Sequence, residues 1–255
     1  MRVEASPVGP VVRPPGPKDP AGLVILYLHG DRYLAGAPES ALGLAGRLAL
    51  QTGAVVVCSR YRRAFPAALE DVHAGYCYSQ AAGPVVVAGE RLGAGLAAGL
   101  LVRLRDAGAA LPRCAVLVSA LLDLTMRAPS LLLNGAADAT FRVGELRRQV
   151  ACYAAGTALT DPLLSPLHAN LHGLAPVQLL AAGNDVLLDD SLAFAARAAR
   201  SGVTVDLRVR PDAASLHAEI LPAMAAFIGE NRRGGGGENG SHTINAEAVR
   251  TVRGR

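Results

Sequence analysis

Val85-Val86-Val87-Ala88-Gly89-Glu90-Arg91-Leu92-Gly93-Ala94-Gly95 is the stretch on which the fold turns. An apolar run suited to a buried strand meets two glycines spaced G-x-X-x-G and continues into a Gly/Ala-rich segment with helical character. A strand that turns this sharply into a helix presents its central residue at the tip of a strained turn. That residue is Arg91. A guanidinium is always protonated and has no lone pair with which to attack a carbonyl. The same few residues therefore specify a scaffold and oppose the nucleophilic reaction such a turn often serves.

Working outward, Leu23–His29, Ala54–Ser59, Pro84–Ala88, Cys114–Ala120, Val177–Ala182 and Val203–Val209 read as strands, several of them continuous apolar runs suited to burial on both faces. Phe65–Gln80, Leu92–Ala107, Glu145–Ala155, Ser191–Arg200 and Ala218–Gly229 read as helices. Strands alternating with helices of this length predict an α/β protein with a doubly wound, mostly parallel sheet. The expected organisation is a Pro-rich extended lead-in over 1–20, one domain over 21–230 and a flexible Gly-rich, basic tail over 231–255. Asn239-Gly240-Ser241 in that tail matches a glycosylation acceptor by chance composition.

The chain has 255 residues, 51% hydrophobic, enough for a sizeable core. Its formal charge is +4, but Arg232, Arg233, Arg250, Arg253 and Arg255 against Glu238 and Glu247 give the tail a local +3. No basic stripe or interleaved aromatics remain elsewhere, so nucleic acid is not an expected partner. No run is apolar enough for a membrane span and no secretion signal is seen, so a cytoplasmic location and no membrane partner are expected. Cys58, Cys77, Cys114 and Cys152 are scattered without ligand spacing; neither a disulfide framework nor a metal site is expected, and no cofactor is implied.

Further motifs carry a resemblance. His29-Gly30-Asp31-Arg32-Tyr33, Tyr61–Ala64 followed by Phe65–Asp71, Asp161-Pro162, Ser165-Pro166-Leu167, Gly173–Pro176 and Gly183–Ser191 together resemble the hormone-sensitive-lipase-like branch of the α/β-hydrolases over roughly 22–229. The resemblance implies an α/β-hydrolase fold. Only 28 residues precede His29, which implies a reduced cap and an open groove. The family's chemistry-bearing positions depart from its pattern: Arg91 stands at the nucleophile, Asn184 at the acid and Ser215 at the base, with His217 two residues beyond. Asp31 and Arg32 replace the second and third glycines of the oxyanion-hole stretch, and a carboxylate there opposes developing negative charge. Loss of a triad nucleophile alone costs about a million-fold in turnover.

Ligands in open α/β sheets bind at the carboxyl ends of the strands. The candidate substrate-binding residues are therefore His29, Gly30, Asp31, Arg32, Tyr33, Glu90, Arg91, Leu92, Asn184, Asp185, Ser215 and His217, with no catalytic residue assigned. Arg91 either pairs with Asp31 or Glu90 or receives a substrate carboxylate or carbonyl in its planar fork. Asp189 and Asp190 read as carboxylates at a helix start, and Asp123 as a loop anchor. The missing triad resembles that of the peptide epimerase of bottromycin biosynthesis, which implies an isomerase inverting an aspartate α-carbon in a modified peptide. The alternatives are a non-catalytic ligand- or peptide-binding protein and a cyclase or lyase. Serine esterase or lipase activity is not expected; a small-molecule or modified-peptide substrate is, and a homodimer stays open.

Overall fold

The computed structural model describes residues 1–16, 22–30, 37–136 and 141–232. Its sheet has eight strands: β1 (Arg2–Glu4), β2 (Val11–Arg13), β3 (Val24–Leu28), β4 (Val55–Cys58), β5 (Val85–Glu90), β6 (Ala115–Val118), β7 (Val177–Ala182) and β8 (Val205–Arg210). Their order is β1-β2-β4-β3-β5-β6-β7-β8. From β4 to β8 neighbouring strands run parallel, and β1 and β2 close one edge as antiparallel strands. The lead-in, expected only as extended chain, thus supplies two strands.

The described residues form seven α-helices: α1 (Leu42–Thr52), α2 (Ala67–Gln80), α3 (Leu92–Asp106), α4 (Ser130–Leu133), α5 (Val143–Ala154), α6 (Leu188–Arg200) and α7 (Ala213–Glu230). One face is covered by α1 and α7, where Leu48, Met224, Phe227 and Ile228 pack on Ile25, Val56 and Val86. The other face takes α2, α3 and α6 through Leu69, Leu100, Leu101 and Phe194. Every residue of β3 and β7 is buried, as their apolar composition demands, and the one polar residue among them, Gln178, donates to the Asp206 carboxylate of β8. The outer strand β8 is half-exposed; its Arg208 and Arg210 pair with Glu219 of α7, and charges of this kind guard an open edge.

Two segments differ from the sequence expectation. Residues 42–52 form α1, whose Gly43 and Gly46 weaken the helical signal, and Gly53 ends it in the left-handed conformation (φ 71°). Helix α7 begins at Ala213, five residues earlier than expected, because the Asp212 side chain caps it by accepting from the Ser215 amide at 2.8 Å.

Cys58 and Cys114 are core thiols, pushed up to about 12 by burial. Met126, Leu131 and Phe141 belong to the core, whereas Leu132 and Leu133 are exposed. Among the described residues no helix is long and apolar enough to cross a membrane.

Candidate active site

The turn between β5 and α3 has the strained geometry that the sequence predicts. Arg91 sits at φ 48°, ψ −114°, a conformation costing a non-glycine residue on the order of 1–3 kcal/mol. Its backbone is held on every side: the Arg91 amide donates to the Val118 carbonyl at 3.0 Å, and its carbonyl accepts from Gly95 and Leu121, each at 3.1 Å. Steric fit completes the turn. A Cβ on Gly93 would lie 2.1 Å from the Leu28 carbonyl oxygen, and one on Gly30 would lie 1.9 Å from that of Glu90. Gly30 also approaches the Arg91 side chain, with its virtual Cβ 3.1 Å from the Arg91 Cβ. The chain thus retains a costly backbone arrangement whose product is the display of residue 91 at the strand ends.

His29, Gly30, Glu90, Arg91 and Leu92 form one group around this turn. His29 is buried and stacks on Tyr61 with ring centroids 4.6 Å apart, while the Tyr61 hydroxyl donates to the His29 carbonyl. This fixes the end of β3, and His29 acts as a wall. Leu92 is buried at the start of α3 and Arg91 is half-buried. Asp31, Arg32 and Tyr33 lie outside the described residues, so the expected pairing of Arg91 with Asp31 lies there too.

Asn184, Asp185, Ser215 and His217 form a second group, on the rim beyond β7 and β8. The Gly183 amide donates to the Arg210 carbonyl at 2.6 Å, setting the two loops side by side. Asn184 is exposed, whereas Asp185 is half-buried and its carboxylate accepts from the Leu187 amide at 3.0 Å. Ser215 and His217 are exposed on the opening turns of α7, ahead of the Ala218 start expected from the sequence. The cap by Asp212 absorbs them into the helix.

Sequence reasoning missed the side chains that join the 183–190 segment to residues 122–134. Asn134, at the end of α4, donates to the carbonyls of Gly183 (3.1 Å) and Asp185 (2.7 Å). Asp189 and Asp190 do not cap α6: Leu187 is its N-cap, and their carboxylates reach across to another segment. Asp189 accepts from the Ser130 amide at 2.7 Å, and Asp190 from the amides of Leu122 (2.8 Å) and Asp123 (3.0 Å). The only signal was a pair of carboxylates in a first helical turn, and nothing local names partners more than fifty residues away. Asp123 anchors its loop as expected, accepting from Thr125 and lying 3.1 Å from His168 Nε2.

Comparison with known proteins agrees with this architecture. Residues 25–218 match a family described as alpha/beta hydrolase fold. The chain is 38% identical over 199 residues to an acetyl-hydrolase of Streptomyces hygroscopicus, covering 75% of this chain and 67% of that one. The crystal structure of EstE5 soaked with p-nitrophenyl butyrate superposes with a TM-score of 0.81 at 29% identity, over 91% of this chain and 85% of that one. An esterase from the bacterial hormone-sensitive lipase family gives a TM-score of 0.77 at 32% identity, over 88% and 78%. The chain spans about two thirds of the length of the curated relatives it matches.

These similarities overturn the epimerase expectation. The relatives include esterases and an ethyl acetate hydrolase of Pseudomonas putida, and they argue for esterase activity where the sequence reading argued against it. The binding-protein and cyclase or lyase alternatives fall with it, as does the placement in peptide natural-product biosynthesis. With the sheet, the strained turn and the match over 25–218 in agreement, the chain belongs to the alpha/beta hydrolase fold family.

Proposed function

We propose that the chain hydrolyses small carboxylic esters at the strand-end site around residue 91, with Arg91 binding and polarising the ester carbonyl instead of attacking it. The observation that carries this reading is the retained strain at Arg91 (φ 48°, ψ −114°), enforced by Gly30 and Gly93. A backbone conformation this costly persists where it serves a site. The resemblance to esterases supplies the substrate class. Small-molecule substrate is the reading the relatives support; His29, Gly30 and Leu92 are its expected walls.

The attacking oxygen is water. As it adds to the carbonyl carbon its proton passes to a rim base, Asp185 or His217, and the tetrahedral intermediate collapses by expelling the alkoxide, which takes up that proton. The guanidinium fork stabilises the oxyanion, an interaction worth roughly 100-fold or more in turnover. Without a seryl intermediate the rate enhancement over water is modest, about a thousand-fold.

The test is hydrolysis of p-nitrophenyl acetate and butyrate by the purified chain, compared with Arg91→Ala and Arg91→Lys. Slow turnover above buffer is expected, falling about 100-fold in Arg91→Ala and partly kept in Arg91→Lys. Equal rates in all three, or none above buffer, overturn the reading.

A further inference from the structure

Asp190 is a carboxylate buried in the body of the protein, outside the site just described, yet connected to it through the backbone. Both of its amide partners, Leu122 and Asp123, bond to the same oxygen, Oδ2. The residue before them, Leu121, donates to the Arg91 carbonyl at 3.1 Å, and Arg91 in turn donates to Val118. The strap 118–123 is therefore pinned on one side by the strained turn and on the other by Asp190. It has little slack: Ser119 lies at φ 44°, and a Cβ on Gly95 of α3 would meet the Leu121 carbonyl oxygen at 2.3 Å.

Among the described residues, the charged groups facing Asp190 are Asp123 and Asp189, both acidic. Asp123, on the strap, lies within reach of His168 from the 3-10 turn Pro166–His168, and Asp189, the preceding residue of α6, holds Ser130. Burial first, and these two anions after it, push the carboxyl up to about 7, against the pull of the two amides. Because both amides use Oδ2, a proton on Oδ1 leaves the grip intact and removes the uncompensated charge. Ionisation strengthens the pull of the two amides but restores a buried charge facing Asp123 and Asp189, and because burial outweighs the amides, the ionised form favours opening of the strap to water.

We propose that Asp190 is a positioning residue for the Arg91 turn: protonated, it clamps the strap 118–123 behind Arg91, and ionised, it lets strap and turn loosen together. The functional meaning of the clamp rests on the ester-hydrolase reading above, but the clamp itself can be measured without any turnover. Amide hydrogen exchange, expressed as protection relative to an unstructured chain at the same pH, is compared at pH 5.5 and 8.5 for the whole protein and for Asp190→Asn. Asparagine keeps an acceptor oxygen and mimics the protonated carboxyl. In the natural chain, protection at Leu121, Leu122, Asp123 and Arg91 is expected to fall at least about tenfold at the higher pH, beyond any change at Ile25 or Val86 of the core. In Asp190→Asn it stays high at both. Loss confined to Leu122 and Asp123, protection independent of pH in the natural chain, or a pH step persisting in Asp190→Asn each overturns the proposal. If the variant does not fold, the pattern in the natural chain decides alone. Exchange behaving as expected in a chain without esterase activity would remove the ester reading and leave the clamp.

Discussion

The turn at Arg91 and the rim beyond β7 and β8 face the same end of the sheet but are held by different means. At the turn, backbone atoms press on backbone atoms: Gly30 against Glu90, Gly93 against Leu28, and the amide and carbonyl of Arg91 against β6 and its strap. On the rim, side chains hold loops, with Asn134 on Gly183 and Asp185, Asp189 on Ser130, and Asp212 on the start of α7. A geometry set by backbone contact survives any change of the side chain it displays. That is why an arginine can occupy the tip without dissolving the turn. A geometry set by side chains changes with each replacement, and the rim accordingly carries Ser215 and His217 on an extended helix.

The contrast is broken most directly at Gly93. If backbone contact holds the turn, Gly93→Ala must force apart β3 and α3, since its Cβ would stand 2.1 Å from a carbonyl oxygen. The expected loss is about 3 kcal/mol or more in urea unfolding. A loss under about 1 kcal/mol would mean that the turn adjusts freely.

Next in size is the pH dependence set by Asp190. Its carboxyl is raised from 3.8 to about 7 in the folded protein, by burial first. Between those values the folded state holds a proton that the unfolded state has lost, so stability falls as pH rises from about 4 to 7 and is level above that. The full change is on the order of 4 kcal/mol. Asp71 and Glu219, held below the usual carboxylate range by Arg62 and Arg210, act in the opposite sense at lower pH. Urea midpoints measured from pH 5 to 8 should therefore decline in the natural chain and remain flat in Asp190→Asn. Parallel curves for the two proteins would remove Asp190 as the source.

Asn134 probes the rim. Its side-chain amide satisfies two carbonyls, and Asn134→Ala leaves both to solvent or unpaired, a loss of about 1–2 kcal/mol. Limited proteolysis should cut first in 183–187. Stability unchanged to within about 0.5 kcal/mol would show that the rim, like the turn, is set by backbone packing.

How far the sequence could be read follows the same division. The strands β3, β5 and β7 are legible because burial on both faces leaves mostly apolar residues, with Gln178 of β7 and Glu90 at the end of β5 as the exceptions. The turn at Arg91 is legible because close backbone approach leaves only glycine at fixed spacing. Helix α1 is obscured by its internal glycines, and the start of α7 by an aspartate that reads equally as loop or cap. Asp190 is opaque because its partners lie 67 and 68 residues away along the chain. Function is less legible for a related reason: one replaced side chain removes one step of a mechanism and says little about the hydrolase scaffold around it.

The smallest expected effects lie at Ser215 and His217. Both are exposed on the first turns of α7, where the Ser215 amide donates to the capping Asp212 carboxylate. Ser215→Ala and His217→Ala should each leave stability within about 0.5 kcal/mol of the natural chain. Their effects on ester turnover should separate: Ser215→Ala leaves the rate unchanged, whereas His217→Ala lowers it if the imidazole takes the proton from water, by about tenfold to a hundredfold. An unchanged rate in His217→Ala would assign that proton to Asp185, which the half-buried carboxylate at the same rim can accept, and Asp185→Asn would then carry the loss.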